Sequence, residues 1–204
     1  MITIIDYNAG NIVSIKNMLN RLGLESKVSS DINDIVSAEK LILPGVGHFD
    51  YGMKNLIDSG LASVLHERVL ERKVPILGIC LGVQLFTNHS EEGILPGLGW
   101  FPSSKTVKFT ISGENLKIPH MGWADVKLEK ESRLFKGMDK EQRFYFVHSY
   151  HLECSNKADL LASAKHGIKF AAALEHKNIV GVQFHPEKSH KFGMHLLRNF
   201  VELY

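Results

Sequence analysis

The chain has 204 residues, 44% hydrophobic and 23% charged, an ordinary globular composition long enough to bury a sizeable core. Lys and Arg number 24 against 22 Asp and Glu, a formal charge of +2 that is too balanced for a polybasic, nucleic-acid-coating protein. Two cysteines exclude a disulfide scaffold, and the longest apolar runs fall far short of the ~18 residues a membrane span needs. The opening Met1-Ile2-Thr3-Ile4-Ile5-Asp6 has no basic stretch and no cleavage-like site, so the expected compartment is the reducing cytoplasm. No Pro-rich linker, low-complexity tract or repeat divides the chain, and one domain over 1–204 is expected.

Thr3-Ile4-Ile5 predicts a first strand. Ile12, Ile15, Leu19 and Leu22 recur at helical spacing, with Gly23 as the stop. Leu41-Ile42-Leu43 predicts a second strand, ended by Pro44-Gly45. A helix is expected from about Tyr51 to Arg72, with Leu56, Leu61, Val64, Leu65 and Val69 inward. Pro75-Ile76-Leu77-Gly78-Ile79 predicts a third strand leading straight into Cys80. Short, wholly apolar strands separated by helices indicate a parallel sheet covered on both faces. In the second half, Val107 to Thr110 and Leu116 to Ile118 flank Ser112-Gly113-Glu114 and predict a hairpin. Phe144-Tyr145-Phe146-Val147 and Ile179-Val180-Gly181-Val182 read as strands. From about Lys191 an amphipathic helix buries Leu196, Leu197, Phe200 and Val201. The expected fold class is α/β, with an antiparallel addition in the second half.

Gly78-Ile79-Cys80-Leu81-Gly82 sets small residues two before and two after a candidate nucleophile, between an apolar strand and a helix. That is the pattern of a nucleophile elbow, in which a strained turn exposes the side chain at the C-terminal edge of a sheet. The following helix points its first N–H groups at the sulfur, which favours negative charge there. A cysteine nucleophile needs a base that later returns a proton to the leaving amine. In Gln183-Phe184-His185-Pro186-Glu187, His185 follows a strand and Glu187 can orient its ring through the other nitrogen. Pro44-Gly45-Val46-Gly47 ends a strand at the same sheet edge, and its glycines let backbone N–H groups approach a ligand. With the Leu81 N–H, this loop can bind a tetrahedral oxyanion.

Other signals carry no function. His66-Glu67 is not followed by a histidine at zinc-motif spacing and no CxxC pair exists, so no metal is expected. Gly45-Val46-Gly47 lacks the third glycine of a dinucleotide fingerprint, and no Walker loop exists, so no cofactor is expected. Cys154 lacks an elbow and reads as structural; Trp100 and Phe101 read as packing.

Six stretches, in order, are Ile5-Asp6-Tyr7 with Gly10-Asn11, Leu43-Pro44-Gly45-Val46-Gly47, Gly78-Ile79-Cys80-Leu81-Gly82-Val83-Gln84, Pro119-His120-Met121-Gly122-Trp123, His148-Ser149-Tyr150 and Gln183-Phe184-His185-Pro186-Glu187-Lys188-Ser189. Together they resemble the class I (triad) glutamine amidotransferases and, nearly end to end, the glutaminase subunits of imidazole glycerol phosphate synthases. The resemblance implies a flavodoxin-like α/β fold, mainly a parallel sheet flanked by helices. It implies that Cys80 attacks the glutamine carboxamide, His185 acts as base then acid, and Glu187 orients it. It assigns the oxyanion hole to Val46, Gly47 and Leu81, and glutamine binding to Gln84, His148, Ser149 and Tyr150. It also implies a partner, a (β/α)₈-barrel synthase subunit bound as a heterodimer, to which ammonia is channelled. Pro119, His120, Met121 and Trp123, with Asn11, are the implied interface.

Two positions depart from the histidine-pathway pattern: Ala124 stands where asparagine is expected, and His190 where glutamine is usual. They leave open a related glutaminase that supplies ammonia to a nucleotide-sugar or surface-glycan amidating enzyme. A stand-alone cysteine peptidase or amidase, and a non-catalytic scaffold, are the readings from other classes.

Overall fold

The computed structural model describes all residues except 111–115 and 139–141. The first half alternates strands and helices as β1 (Ile2–Ile5), α1 (Ile12–Arg21), β2 (Ser26–Ser29), α2 (Ile32–Ser37), β3 (Lys40–Gly45), α3 (Phe49–Asp58), α4 (Leu61–His66), β4 (Ile76–Cys80) and α5 (Leu81–Leu85). The second half is β5 (Ser104–Lys108), β6 (His120–Leu128), β7 (Gln142–His148), β8 (Tyr150–Cys154), β9 (Leu160–His166), β10 (Ile168–His176), β11 (Ile179–Val182) and α6 (His190–Leu203).

Eleven strands among the described residues share one sheet in the order β2-β1-β3-β4-β11-β10-β9-β6-β7, and β5 and β8 branch from it at β10. Pairing is parallel from β2 through β4 to β11 and antiparallel beyond. Side chains alternate across each strand, so neighbours enter opposite layers. Ile4, Ile42, Leu77 and Ile79 face α1 and α6 beside Ile15, Leu19, Leu196 and Phe200. Ile5, Leu41, Leu43 and Ile76 face α3, α4 and α5 beside Phe49, Leu56, Leu65 and Phe86. Burying both faces explains why these strands are apolar throughout. Each such side chain contributes about 1.5–3 kcal/mol.

Two expected elements differ. The helix expected over Tyr51 to Arg72 is divided: α3 stops at Ser59, Gly60 takes a left-handed φ of 75°, and α4 restarts at Leu61. It then widens into a π-helical turn, Glu67–Glu71, closed by Arg72 N–H on the Glu67 carbonyl. Apolar periodicity runs straight through this break, since both segments bury the same face. The expected hairpin is not formed either. Its turn, Ser112-Gly113-Glu114, lies outside the described residues, but its first arm is β5, which pairs with β8 in the register Thr106↔Leu152. Leu116 to Ile118 is not a strand. Trp100 and Phe101 are buried in the core, Trp100 packing on Phe86. Half-buried Cys154 donates to the Asn156 carbonyl.

Candidate active site

Cys80 ends β4 with φ 54° and ψ −109°, a conformation that non-glycine residues seldom adopt. The glycine two before it gives the following helix room to fold back. A β-carbon on Gly78 would stand 2.5 Å from the Phe86 ring and 2.8 Å from the Val83 nitrogen. The resulting elbow turns the sulfur out of the sheet into a cavity of about 430 Å³.

The partner arrives through strand pairing rather than chain proximity. β11 lies parallel to β4 with Val182 opposite Ile79, so the two chains leave the sheet side by side. His185 is fixed there by its N–H on the Tyr145 carbonyl and by Ser189 Oγ on its own carbonyl. Its Nδ1 donates to Glu187 Oε1 over 2.8 Å, with both side chains almost wholly buried. Nε2 is buried, and the Cys80 sulfur acts on the ring both through its charge and as a hydrogen-bond partner. Burial alone would strip the proton from this ring. Negative sulfur at Cys80 and the Glu187 carboxylate outweigh it and push the imidazolium up to about 10.

Val46, Gly47, Leu81, Gln84, Pro119, His148, Ser149 and Tyr150 all line the cavity with Cys80. Gly47 has φ 109°, open only to glycine without strain, at the end of the loop after β3. His148 Nδ1 donates to the Tyr150 carbonyl over 2.7 Å and its Nε2 accepts from His120 Nδ1 over 3.0 Å. Burial holds both rings neutral, pushing His148 down to about 3 and His120 to about 4.

The interface candidates divide. His120 is buried, whereas Met121 is 62% and Trp123 39% exposed on the outer face of β6. Asn11 does not line the cavity; it sits beyond Gly10, which abuts Pro44 near the end of β3. Two cavity residues went unread in the sequence. Glu92 faces the cavity from the loop after α5, its Oε2 accepting the Phe49 N–H over 2.8 Å. The Val147 carbonyl lies 4.0 Å from the Cys80 sulfur. Ser90-Glu91-Glu92-Gly93 shows no periodicity or motif that singles out one carboxylate.

A larger cavity, about 610 Å³, is bounded by β5, β8 and β10 and contains none of the predicted site residues. The smaller one is the candidate site because Cys80 opens into it; His185 and Glu187 do not line it but lie buried behind the sulfur. Among the described residues no cluster of three His, Cys, Asp or Glu side chains can hold a metal ion, and no helix is long and apolar enough to cross a membrane.

Comparison with known proteins shows the family and the fold. The family model described as "Glutamine amidotransferase class-I" matches residues 3–203. The chain is 51% identical to "Imidazole glycerol phosphate synthase subunit HisH 2" of Methanococcus maripaludis, over 99% of each chain. It is 50% identical to the protein of that name from Pseudomonas aeruginosa, over the full length of both. Among solved structures, a glutamine amidotransferase superposes with a TM-score of 0.76 at 19% identity, over 98% of this chain and 97% of that one. A chain of PurLQS from Thermotoga maritima superposes with a TM-score of 0.70 at 19% identity, over 98% and 96%. At those identities the solved structures speak for the fold.

Proposed function

The chain belongs to the class I glutamine amidotransferase family, and on that premise we infer that it is the glutaminase subunit of an imidazole glycerol phosphate synthase. The observation that carries the chemistry is the parallel pairing of β4 with β11, which sets the Cys80 elbow beside the His185–Glu187 pair. Cys80 Sγ attacks the carboxamide carbon of glutamine. The oxyanion that forms is met by the Leu81 N–H and the Val46–Gly47 loop. Protonated His185 gives its proton to the departing amine, which leaves as ammonia, and a γ-glutamyl thioester remains on Cys80. Water then attacks the thioester, His185 takes its proton, and glutamate leaves as the sulfur is restored. Gln84 and the His148–Tyr150 segment bind the substrate. Glu92, a carboxylate on the same cavity wall, suits its α-ammonium group.

Ammonia free in neutral water is mostly ammonium, which is not nucleophilic, so the product has to pass directly to a synthase. We assign that partner as a (β/α)₈-barrel protein, bound as a heterodimer in the cytoplasm against Met121, Trp123 and Pro119, with Asn11 as a further contact. Large apolar side chains left in water beside an active-site mouth suit such a partner.

One observation favours a second acceptor. The two departures from the histidine-pathway pattern meet at one side chain: Ala124 adjoins Trp123, and the His190 ring stacks on the Trp123 indole. A changed docking surface with an unchanged catalytic site fits a glutaminase serving an enzyme that amidates a nucleotide-linked sugar.

The test is synthesis by the reconstituted complex. Cys80→Ala abolishes product formation from glutamine and leaves formation from added ammonium salt intact. Glutamine-dependent turnover by the variant refutes the nucleophile. Reconstitution with the (β/α)₈-barrel synthase and, in parallel, with a nucleotide-sugar amidating enzyme decides between the acceptors.

A further inference from the structure

Gln183 lies behind the nucleophile rather than on the cavity wall, wholly buried and absent from the lining. Its backbone N–H is held by the Ala172 carbonyl of β10 over 2.8 Å. Its side-chain Nε2 points at the Cys80 sulfur over 3.8 Å, a distance suited to the larger atom. Its Oε1 accepts from Gln84 Nε2 over 3.0 Å. The same Gln84 nitrogen donates to the Tyr150 carbonyl over 3.2 Å.

These bonds leave no freedom of orientation. His148 and His120 are both neutral. His148 Nδ1–H is committed to the Tyr150 carbonyl, so its Nε2 must accept, and His120 Nδ1 must donate to it. The Tyr150 carbonyl therefore faces two donors, His148 and Gln84. The Gln84 NH₂ group, caught between two acceptors, cannot be turned over. Its partner Gln183 must then present an oxygen to Gln84 and an N–H to the sulfur. A reversed Gln183 amide would place a carbonyl against the sulfur and an NH₂ against the Gln84 NH₂, losing both bonds and adding repulsion.

We propose that Gln183 is a positioning residue for the nucleophile: its locked amide N–H holds the Cys80 sulfur in place and supports the negative charge that sulfur carries before attack and regains when the thioester is hydrolysed. The chain of bonds that fixes it begins at His120, whose neighbour Met121 lies on the exposed face of β6. The proposal rests on the glutaminase reading, since only a sulfur that cycles through negative charge needs such a donor.

The experiment is alkylation of the full chain by iodoacetamide at pH 7, following Cys80 and, as an internal reference, Cys154. Gln183→Met removes both the donor to sulfur and the oxygen that accepts from Gln84; Gln183→Glu keeps that oxygen and sets a carboxyl group against the sulfur in place of the amide N–H. Cys80 alkylation is expected to fall about tenfold in each, the worth of one hydrogen bond to a charged group, with Cys154 unchanged. In the complex, Gln183→Glu is expected to lower kcat by a similar factor and leave KM for glutamine near the native value. A general loss of structure moves both cysteines and both constants. Wild-type Cys80 alkylation in the two variants overturns the proposal. Should both fail to fold, Gln84→Met releases the Gln183 amide and is expected to slow Cys80 alkylation in the same way; an unchanged rate there overturns it equally. A diazoketone analogue of glutamine, applied to the wild-type chain, separates the two claims. If it fails to label a Cys80 that iodoacetamide labels, the glutaminase reading falls, while the alkylation rates judge Gln183.

Discussion

The carbonyl oxygen of Leu43 lies 1.9 Å from the place a β-carbon on Gly82 would occupy. Leu43 is on β3 and Gly82 in the first turn of α5, so the elbow helix presses directly on the neighbouring strand. Because the obstacle is backbone, no rotamer change relieves it. Gly82→Ala is expected to destabilise the fold by roughly 3 kcal/mol, the upper end of overpacking costs. Urea titration of the variant against wild type reads it, and a midpoint shift within error contradicts the close approach.

Gly47 sits at φ 109° at the end of a loop that lines the cavity with Cys80. A β-carbon there meets no neighbour, so substitution strains the backbone without crowding the core. Gly47→Ala is therefore expected to misalign the Val46–Gly47 peptide while leaving the melting temperature close to wild type. Losing one oxyanion donor costs about 10²–10³ in kcat. Single-turnover release of ammonia from glutamine measures it, and a native rate removes this loop from the oxyanion hole.

The elbow was legible because its demand is local: two glycines, an apolar strand and a cysteine fall within a short stretch of chain. The approach of His185 was not legible from spacing, since it depends on β11 pairing with β4, strands far apart in the chain. The need of a cysteine nucleophile for a base joined the two residues as candidates, and the family resemblance gave them their roles. The same limit explains the misplaced hairpin. Turn residues at 112–114 suggest local pairing, but β5 finds its partner in β8, where Val107 and Leu152 enter the core. The break at Gly60 was hidden because α3 and α4 keep one buried face in phase on both sides of it. Glu92 owes its place to the fold of a loop, which no periodic pattern records.

Trp123 and His190 lie with ring centroids 5.6 Å apart and planes within 4° of parallel. Tyr145 meets the indole edge-on, and Lys188 sits over the Tyr145 ring. This group is held from its own side and open on the other, the arrangement of an interfacial anchor. Trp123→Ala is expected to weaken binding to the synthase partner by about 2 kcal/mol, close to thirtyfold in Kd, with little change in folding stability. Titration calorimetry against the partner and thermal melting of the free chain give the two readings. Unchanged affinity removes Trp123 from the interface.

Stability is expected to be greatest near the ordinary histidine value of 6.5 and to fall on both sides for different reasons. Burial keeps His120 and His148 neutral down to about 4 and about 3. Between those values and 6.5 the unfolded chain binds protons that the folded chain refuses, so these two rings make stability drop as pH falls. His185 acts in the opposite sense. Burial opposes its charge, but Cys80 and Glu187 more than compensate and hold the proton up to about 10. The share of that retention owed to the Glu187 carboxylate makes stability drop as pH rises, because above 6.5 the folded chain keeps a proton that the unfolded chain has lost. The share owed to the negative sulfur is offset by the proton that sulfur has released. Glu187→Gln removes one of the two anions and is expected to flatten the alkaline limb while leaving the acid limb unchanged. His120→Phe, which keeps a ring in the stack with Phe146 and His166, is expected to flatten the acid limb alone. Melting temperatures from about pH 4 to about pH 10 for the wild type and both variants test the assignment. An alkaline limb that persists in Glu187→Gln means that the carboxylate does not hold the His185 proton.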